Sequence, residues 1–179
     1  MVNAVIGKGA TLNSVDSLTG GSGVDQLVLS GTGSVDLNSL TKFAGFEEVD
    51  VTGSGQTLIA RDNLNAAQIL NLIIADKGTN AVTHGDTFVF HQTSFANYTL
   101  ANFVWDSSGS LVHDSIQLSK SLLANTSETS SQWLNNSFGQ TNVTQDSAGH
   151  AVIHDGNNTI VLDVGIVILG AHSADLSFV

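Results

Sequence analysis

Short stretches in which apolar and polar residues alternate run through most of this chain. Alternation over four or five residues is typical of half-buried β-strands. The clearest stretches are Asp25–Leu29, Ser34–Leu37, Glu48–Val51, Gln56–Ala60, Asp86–Phe90, Asp114–Leu118, His150–His154 and Thr159–Asp163. Glycine-rich breaks at 31–33 and 53–55 separate several of them. The pattern predicts an all-β protein built from many short strands.

Few local signals favour other elements. The segment Asp155–Asn158 reads Asp-Gly-Asn-Asn between two alternating stretches, which predicts a β-hairpin. Asp62 is a candidate N-cap for a short helix through Ile69. A second, loose helix is expected within Ser119–Leu134.

Charge changes the picture next. The chain carries 16 Asp and Glu against 5 Lys and Arg, for a formal charge of −11, and no Lys or Arg follows Lys120. Phosphate binding needs a basic face, so this composition argues against a nucleic-acid partner. Self-repulsion of this size destabilises a compact state unless cations offset it. Cysteine is absent, so no disulfide framework is possible.

The length of 179 residues suits one domain. No run of about 18 apolar residues occurs, so we predict no transmembrane segment. The first residues lack the basic and apolar regions of a cleavable signal peptide. Export of this chain would therefore need a different kind of secretion signal.

Candidate chemistry lies in residues 20–28, which read Gly-Gly-Ser-Gly-Val-Asp-Gln-Leu-Val and match G-G-x-G-x-D-x-U-x. Glycines allow a tight turn in which carbonyl oxygens converge. Asp25 adds a carboxylate, and oxygen ligands suit Ca²⁺. A plain glycine-rich turn without metal is the alternative interpretation of the same residues.

Two later turns look like degenerate copies. Gly53-Ser-Gly55 repeats the earlier glycines, but Gln56 stands where a ligand Asp is expected, and a neutral amide is a weak calcium ligand. We predict that this turn closes without metal. Gly85-Asp86 keeps the Gly-Asp pair, which makes Asp86 a further candidate ligand.

A family resemblance rests on the order of several blocks. They are Asp86-Thr-Phe-Val-Phe90, Asn102-Phe103, Asp114-Ser-Ile-Gln-Leu-Ser119, a strand pair at 151–154 and 158–162, and an apolar end after Asp175. In this order they resemble the carboxy-terminal modules of RTX-type (hemolysin-type calcium-binding) proteins exported by bacterial type I secretion. Upstream, 25–29, 45–51 and 53–58 look like segments of giant type I-secreted adhesins. Modules of secreted alginate epimerases share the Asp86 strand.

The resemblance implies a right-handed parallel β-roll or β-solenoid with an irregular β-rich carboxy-terminal cap. We expect a single module over 1–179, with degenerate solenoid turns in 1–90 and a capping and secretion-signal region in 91–179. By the same resemblance, Gly20, Gly21 and Gly23 offer backbone carbonyls and Asp25 its side chain to Ca²⁺. The family stacks several repeats, whereas this chain has one complete copy. The adjacent turn must therefore supply further ligands, for which the candidates are Asp16, Asp36 and Asp50.

These expectations predict a non-catalytic calcium-binding module of a secreted or cell-surface protein. It would fold on calcium after export and carry an uncleaved carboxy-terminal signal for the type I secretion machinery. The alternative is a carbohydrate-binding or adhesive module for extracellular polysaccharide, with Tyr98, Trp105 and Trp133 stacking on sugars. The same aromatic residues could instead pack a core.

An enzyme is the third and weakest alternative. His150 and His154 lie four residues apart on a predicted strand, and His113 precedes Asp114. Such a cluster could bind a transition metal or transfer protons. The chain contains no H-E-x-x-H, G-x-S-x-G or P-loop motif. We therefore expect no catalytic activity.

Overall fold

The computed structural model describes residues 1–64, 71–78, 85–91, 96–105, 113–123, 125, 127–137, 142–155, 158–163, 169 and 173–179. It is 45% strand and 10% helix, and its strands stack as a parallel β-solenoid of about four turns. The predicted all-β parallel roll is confirmed.

The described residues form fifteen strands and three short helices. The strands are β1 Val2–Ile6, β2 Ser17–Thr19, β3 Gln26–Gly31, β4 Gly33–Asp36, β5 Lys42–Ala44, β6 Glu48–Val51, β7 Gln56–Ile59, β8 Leu72–Asp76, β9 Thr87–Val89, β10 Asn97–Ala101, β11 Ser115–Leu118, β12 Val143–Gln145, β13 Ala151–Asp155, β14 Asn158–Leu162 and β15 Leu176–Phe178. The helices are α1 Ser130–Ser137 and two 3-10 helices, Lys120–Leu122 and Ser173–Asp175.

Two parallel sheets form the walls of the coil. The larger sheet has the order β1-β3-β6-β8-β10-β14-β13-β12, and the smaller has the order β15-β11-β9-β7-β4. Strands β2 and β5 pair in a third, two-stranded sheet. The chain passes from the larger to the smaller sheet and back, so each pass adds one strand beside the previous one. Among the described strands, antiparallel pairing is confined to β12 with β13 and β13 with β14.

Register aligns the apolar positions of successive turns into columns. On the larger sheet the column is Leu27, Val49, Ile74, Leu100 and Leu162, all fully buried. On the smaller sheet it is Val35, Leu58, Phe88, Ile116 and Leu176, all at most 9% exposed. Burying each such side chain stabilises the fold by about 1.5–3 kcal/mol relative to exposure. The alternating pattern of the sequence thus becomes the core of the solenoid.

The stack extends beyond the predicted boundary at residue 90. Strands β10, β11, β14 and β15 continue both parallel sheets, although we expected the turns in 1–90 and the cap in 91–179. Asn97 pairs with Thr159, so 62 residues separate two adjacent strands. That excursion contains α1 and the antiparallel strands. A turn of this length has no repeat period to detect, which is why the sequence did not indicate it.

The local predictions have mixed outcomes. The hairpin is confirmed, since β13 and β14 pair antiparallel with Asp155 opposite Asn158. The segment predicted to hold a loose helix contains one 3-10 helix and the start of α1. Most of the helix proposed to start at Asp62 falls outside the described residues. Seven strands were not predicted, namely β1, β2, β5, β8, β10, β12 and β15. No helix in the described part of the chain is long and apolar enough to cross a membrane.

Candidate cation site

Three aspartates meet at one corner of the solenoid, where the chain passes from the larger to the smaller sheet. Asp76 ends β8, Asp86 immediately precedes β9, and Asp114 immediately precedes β11. One carboxylate oxygen from each lies within 4.8 Å of the other two. Asp86 and Asp114 are 4% and 2% exposed. Among the described residues, no other group of three or more His, Cys, Asp or Glu side chains comes this close.

Strand register explains why two of these aspartates are neighbours. Thr87 pairs with Thr57 and with Ser115, so the residues before them, Gln56, Asp86 and Asp114, form a column. Each carboxylate in this column accepts a hydrogen bond from a backbone N–H of the preceding turn. Asp86 Oδ1 accepts the Gln56 backbone N–H at 2.7 Å, and Asp114 Oδ1 accepts the Asp86 N–H at 2.8 Å.

Gln56 is the first residue of the column, and its side-chain amide both donates and accepts a hydrogen bond. Its Nε2 donates to the Gly31 carbonyl at 3.1 Å, and its Oε1 accepts the Gly53 N–H at 3.2 Å. A carboxylate could make only the second of these bonds. The turn that we predicted to close without metal is thus closed by hydrogen bonds of the Gln56 amide.

Asp76 reaches the same corner from the other sheet. Its Oδ1 accepts the Gly78 N–H at 2.8 Å, and one of its carboxylate oxygens lies within 4.8 Å of one from Asp114. The second oxygen of Asp114 accepts the Val104 N–H at 2.8 Å.

Burial makes these carboxylates costly to ionise. Burial, reinforced by the charge of Asp76, raises the pKa of Asp86 to about 6. Burial, reinforced by the charges of Asp76 and Asp86, raises the pKa of Asp114 to about 7. The pKa of Asp76 is also raised, chiefly by burial. Among the described residues, no Lys, Arg or His forms a salt bridge with any of the three.

Lys77 directly follows Asp76 but forms salt bridges with other carboxylates. Its Nζ lies 2.6 Å from Glu48 Oε1 and 2.9 Å from Asp50 Oδ1. The three aspartates therefore need protons or a bound cation to compensate their charge. Calcium holds oxygen ligands at about 2.3–2.6 Å, so two ligands of one ion are at most about 4.6–5.2 Å apart. The three carboxylate oxygens, all within 4.8 Å of one another, satisfy this limit.

The predicted turn at Gly20–Asp25 is arranged differently. Asp25 Oδ2 accepts the Gly21 N–H at 2.5 Å, and the Asp25 N–H donates to Glu47 Oε2 at 2.7 Å. Gly23 has a positive φ of 106°, which glycine adopts without strain. These hydrogen bonds close the turn with its own side chain, and calcium binding there stays a prediction.

The three aspartates proposed to complete that turn have other partners. Asp16 Oδ2 accepts the Asn13 N–H at 2.8 Å, and Asp36 Oδ1 accepts the Asn38 N–H at 2.8 Å. Asp50 pairs with Lys77. Of the predicted ligands, Asp86 alone belongs to a carboxylate cluster within the described residues.

Gly20 has a structural role that needs no metal. A Cβ built on it would lie 1.7 Å from the Gly45 carbonyl oxygen of the next turn, whereas a Cβ on Gly21 would meet only Asp25 Oδ2 at 3.7 Å. We expect Gly20→Ala to destabilise the protein by about 1–3 kcal/mol, because the stacked turns must separate. Gly21→Ala is the matched control and should cost much less. Thermal melting with and without calcium checks this; equal melting temperatures for the two variants would contradict it.

The histidines of the enzyme alternative contact separate partners. His113 Nδ1 lies 2.6 Å from Asp175 Oδ1, and His150 Nδ1 lies 3.1 Å from Asp146 Oδ2. His154 Nε2 is 2.7 Å from the hydroxyl of Thr144. The structure therefore supplies no shared histidine site for the enzyme alternative among the described residues.

Two of the three aromatic residues of the carbohydrate alternative are buried, and the third, Trp105, is partly buried. Trp133 and Tyr98 are 1% and 2% exposed. The ring of Trp105 lies 4.3 Å from that of Phe103. The core-packing interpretation is confirmed for Trp133 and Tyr98, whose rings are covered and so offer no stacking surface to a sugar.

Sequence reasoning missed Asp76 and Asp114 as candidate ligands. A signal for Asp114 was present, because Asp114-Ser-Ile-Gln-Leu repeats the pattern of Asp86-Thr-Phe-Val-Phe. Two strands of one pattern in a solenoid are expected to stack, which brings their first residues together. Asp76 ends a strand of the opposite sheet, and no local pattern marks it.

Comparisons with known proteins add no relatives: no family model, no curated protein and no solved structure matches this chain.

Proposed function

We propose that this chain is a non-catalytic, calcium-binding β-solenoid module of a secreted protein. The observation that carries the proposal is the corner where Asp76, Asp86 and Asp114 converge without a salt-bridge partner among the described residues. Carboxylates are the ligands that Ca²⁺ prefers. A divalent cation at this point relieves the repulsion of three converging carboxylates, two of them buried, in a chain of net charge −11.

The location of the site suggests what calcium does. Asp76 belongs to β8, Asp86 and Asp114 precede β9 and β11, and the Asp86 carboxylate also holds the start of β7. An ion here would tie together strands from both sheets and from three successive turns. Calcium would therefore bind the stacked state and not the unfolded chain, and so stabilise the fold by mass action.

Secretion is the finer part of the proposal. The resemblance to type I-secreted RTX modules and the acidic composition support it. Low cytosolic calcium would leave the cluster unscreened and the chain loose enough for export. Higher external calcium would then complete the stack. The carbohydrate-binding alternative has no support from Trp133 or Tyr98, because both side chains are buried.

Calcium should raise the free energy of unfolding by about 2.7 kcal/mol at a hundredfold excess over its Kd. The measurement is thermal unfolding followed by circular dichroism at pH 7.5, in excess EGTA and in millimolar CaCl2, with calorimetric titration for the affinity. Asp86→Asn should abolish the increase, because it removes one of three charged ligands. Asp163→Asn, which changes a carboxylate that is 54% exposed, is the matched control and should keep it.

Asp25→Asn separates the two candidate sites. Loss of the calcium effect in Asp25→Asn, with the effect retained in Asp86→Asn, would place the ion at the glycine-rich turn. Identical melting of the wild-type protein in EGTA and in calcium would refute the proposal.

A further inference from the structure

A separate feature concerns the edge of the larger sheet at β1. Among the described strands, β1 has a partner on one side only, where it pairs in parallel with β3. An edge strand presents unpaired N–H and C=O groups to any strand that can reach it. The residues of β1, Val-Asn-Ala-Val-Ile, include no charge and no proline, the features that usually prevent such pairing.

The outward backbone groups of Val5 are already occupied. Alternate residues of a strand direct their backbone groups to opposite sides, and the Ala4 carbonyl faces β3, where it accepts the Ser30 hydroxyl at 3.3 Å. The groups of Val5 therefore face away from β3. The Val5 N–H donates to Thr11 Oγ1 at 2.9 Å, and the Thr11 N–H donates to the Val5 carbonyl at 2.9 Å.

Residues 7–11, here called the edge hook, bring Thr11 back to the strand. Gly7 and Gly9 have positive φ values of 79° and 80°, and the Ala10 N–H donates to the Gly7 carbonyl at 3.0 Å. The hook thus reverses the chain directly after β1. Within the hook, Thr11 alone makes both hydrogen bonds that a neighbouring strand would otherwise make with Val5.

Charge indicates which strand the hook excludes. Residues 1–15 contain one lysine, Lys8, and no acidic residue, whereas the rest of the chain carries all 16 Asp and Glu. Two copies that approach through β1 would avoid the repulsion between their acidic surfaces. The same uncharged edge on both copies can pair antiparallel about a twofold axis.

We propose that the edge hook is a guard that prevents β1 from pairing with β1 of a second copy. Release of Thr11 exposes the outward groups of Val5 and converts this edge into a dimer interface. The device is independent of calcium, because it involves none of the cation-site residues.

Two variants test the guard. Thr11→Pro removes both the N–H and the hydroxyl, and it should double the molar mass in sedimentation velocity at concentrations where the wild type is monomeric. Thr11→Val removes the hydroxyl alone and should make the Val5 amide exchange with solvent about tenfold faster. Thr41→Val is the control, since it removes the hydroxyl of another exposed threonine, which donates to the Ser14 carbonyl at 3.5 Å and lies away from β1.

The interface is checked by a second substitution. Asn3→Lys added to Thr11→Pro places two lysines near the twofold axis and should restore the monomer. A folded Thr11→Pro that stays monomeric would overturn the proposal, as would a wild type that already dimerises through β1. If Thr11→Pro does not fold, Thr11→Val decides: unchanged exchange at Val5 overturns the guard.

Discussion

Lowering the pH from 8 to 5 is expected to stabilise the calcium-free protein by about 4 kcal/mol. The cause is the pKa of Asp114, raised to about 7, and that of Asp86, raised to about 6, both chiefly by burial. An unfolded Asp has a pKa of about 3.9, so the folded state binds more protons between these values. Their stabilising contribution is complete below the unfolded pKa and is lost as the pH rises through the folded pKa. Asp114 supplies about 3 kcal/mol of the change and Asp86 about 1 kcal/mol.

Chemical denaturation in EGTA across this pH range is the measurement. Asp114→Asn should remove most of the dependence on pH, whereas the exposed Asp163→Asn should leave it intact. The control separates the buried cluster from the general repulsion of an acidic chain, because most exposed carboxylates are already ionised at pH 5. Stability that increases from pH 5 to pH 8 would contradict the expectation.

Calcium should oppose the loss of stability that deprotonation causes near pH 8. A cation and the protons compete for the same three carboxylates, so calcium binding releases protons and weakens as the pH falls. At pH 8 the ion should restore much of the stability lost by deprotonation, and at pH 5 it should add little. The raised pKa values and the proposed calcium site thus have one origin, which is the convergence of buried carboxylates.

Trp133→Ala is expected to destabilise the protein by about 3–5 kcal/mol. The indole is 1% exposed, its Nε1 donates to the Leu122 carbonyl at 3.0 Å, and its ring meets that of Phe178 edge-on at 5.3 Å. Removal leaves a cavity between α1 and β15 and a carbonyl without its donor. The ring therefore joins the helix of the carboxy-terminal region to the last strand of the smaller sheet.

Trp133→Phe is the control, because it keeps an aromatic ring and loses only part of the volume and the N–H donor. Its cost should be clearly smaller. Hydrogen exchange locates the effect: the amides of β15 should lose protection before those of β6 and β8. A melting temperature for Trp133→Ala equal to that of the wild type would show that the region packs without the indole.

The architecture was accessible from the sequence because its signals are local. Alternation marked β3, β6, β7, β11, β13 and β14 within one or two residues of their observed bounds. Glycine-rich breaks marked the corners between sheets, and Asp155–Asn158 marked the hairpin. Strand β8 was missed because Leu-Ile-Ile-Ala-Asp is a nearly continuous apolar run, and periodicity cannot assign such a run.

The residues of the candidate sites were harder to predict from the sequence than the strands. Sequence reasoning found Asp86 through its Gly-Asp turn but not Asp76, which lies ten residues earlier on the opposite sheet. It also favoured Asp25, whose carboxylate accepts the Gly21 N–H of its own turn and whose binding of calcium stays a prediction. A matching motif shows that a turn can bind an ion, whereas the neighbouring turn decides whether more ligands are present.

By itself, the sequence determined that this protein is all-β, acidic, free of disulfides and repetitive, because alternation, composition and glycine placement depend on residues close together in the chain. Only the tertiary structure decided which carboxylates meet. Successive pairings on the smaller sheet join Thr57 to Thr87 and Thr87 to Ser115, intervals of 30 and 28 residues, and on the larger sheet Glu48 to Ile73, an interval of 25. Because the turns differ in length, only strand register could bring Asp76, Asp86 and Asp114 to one corner.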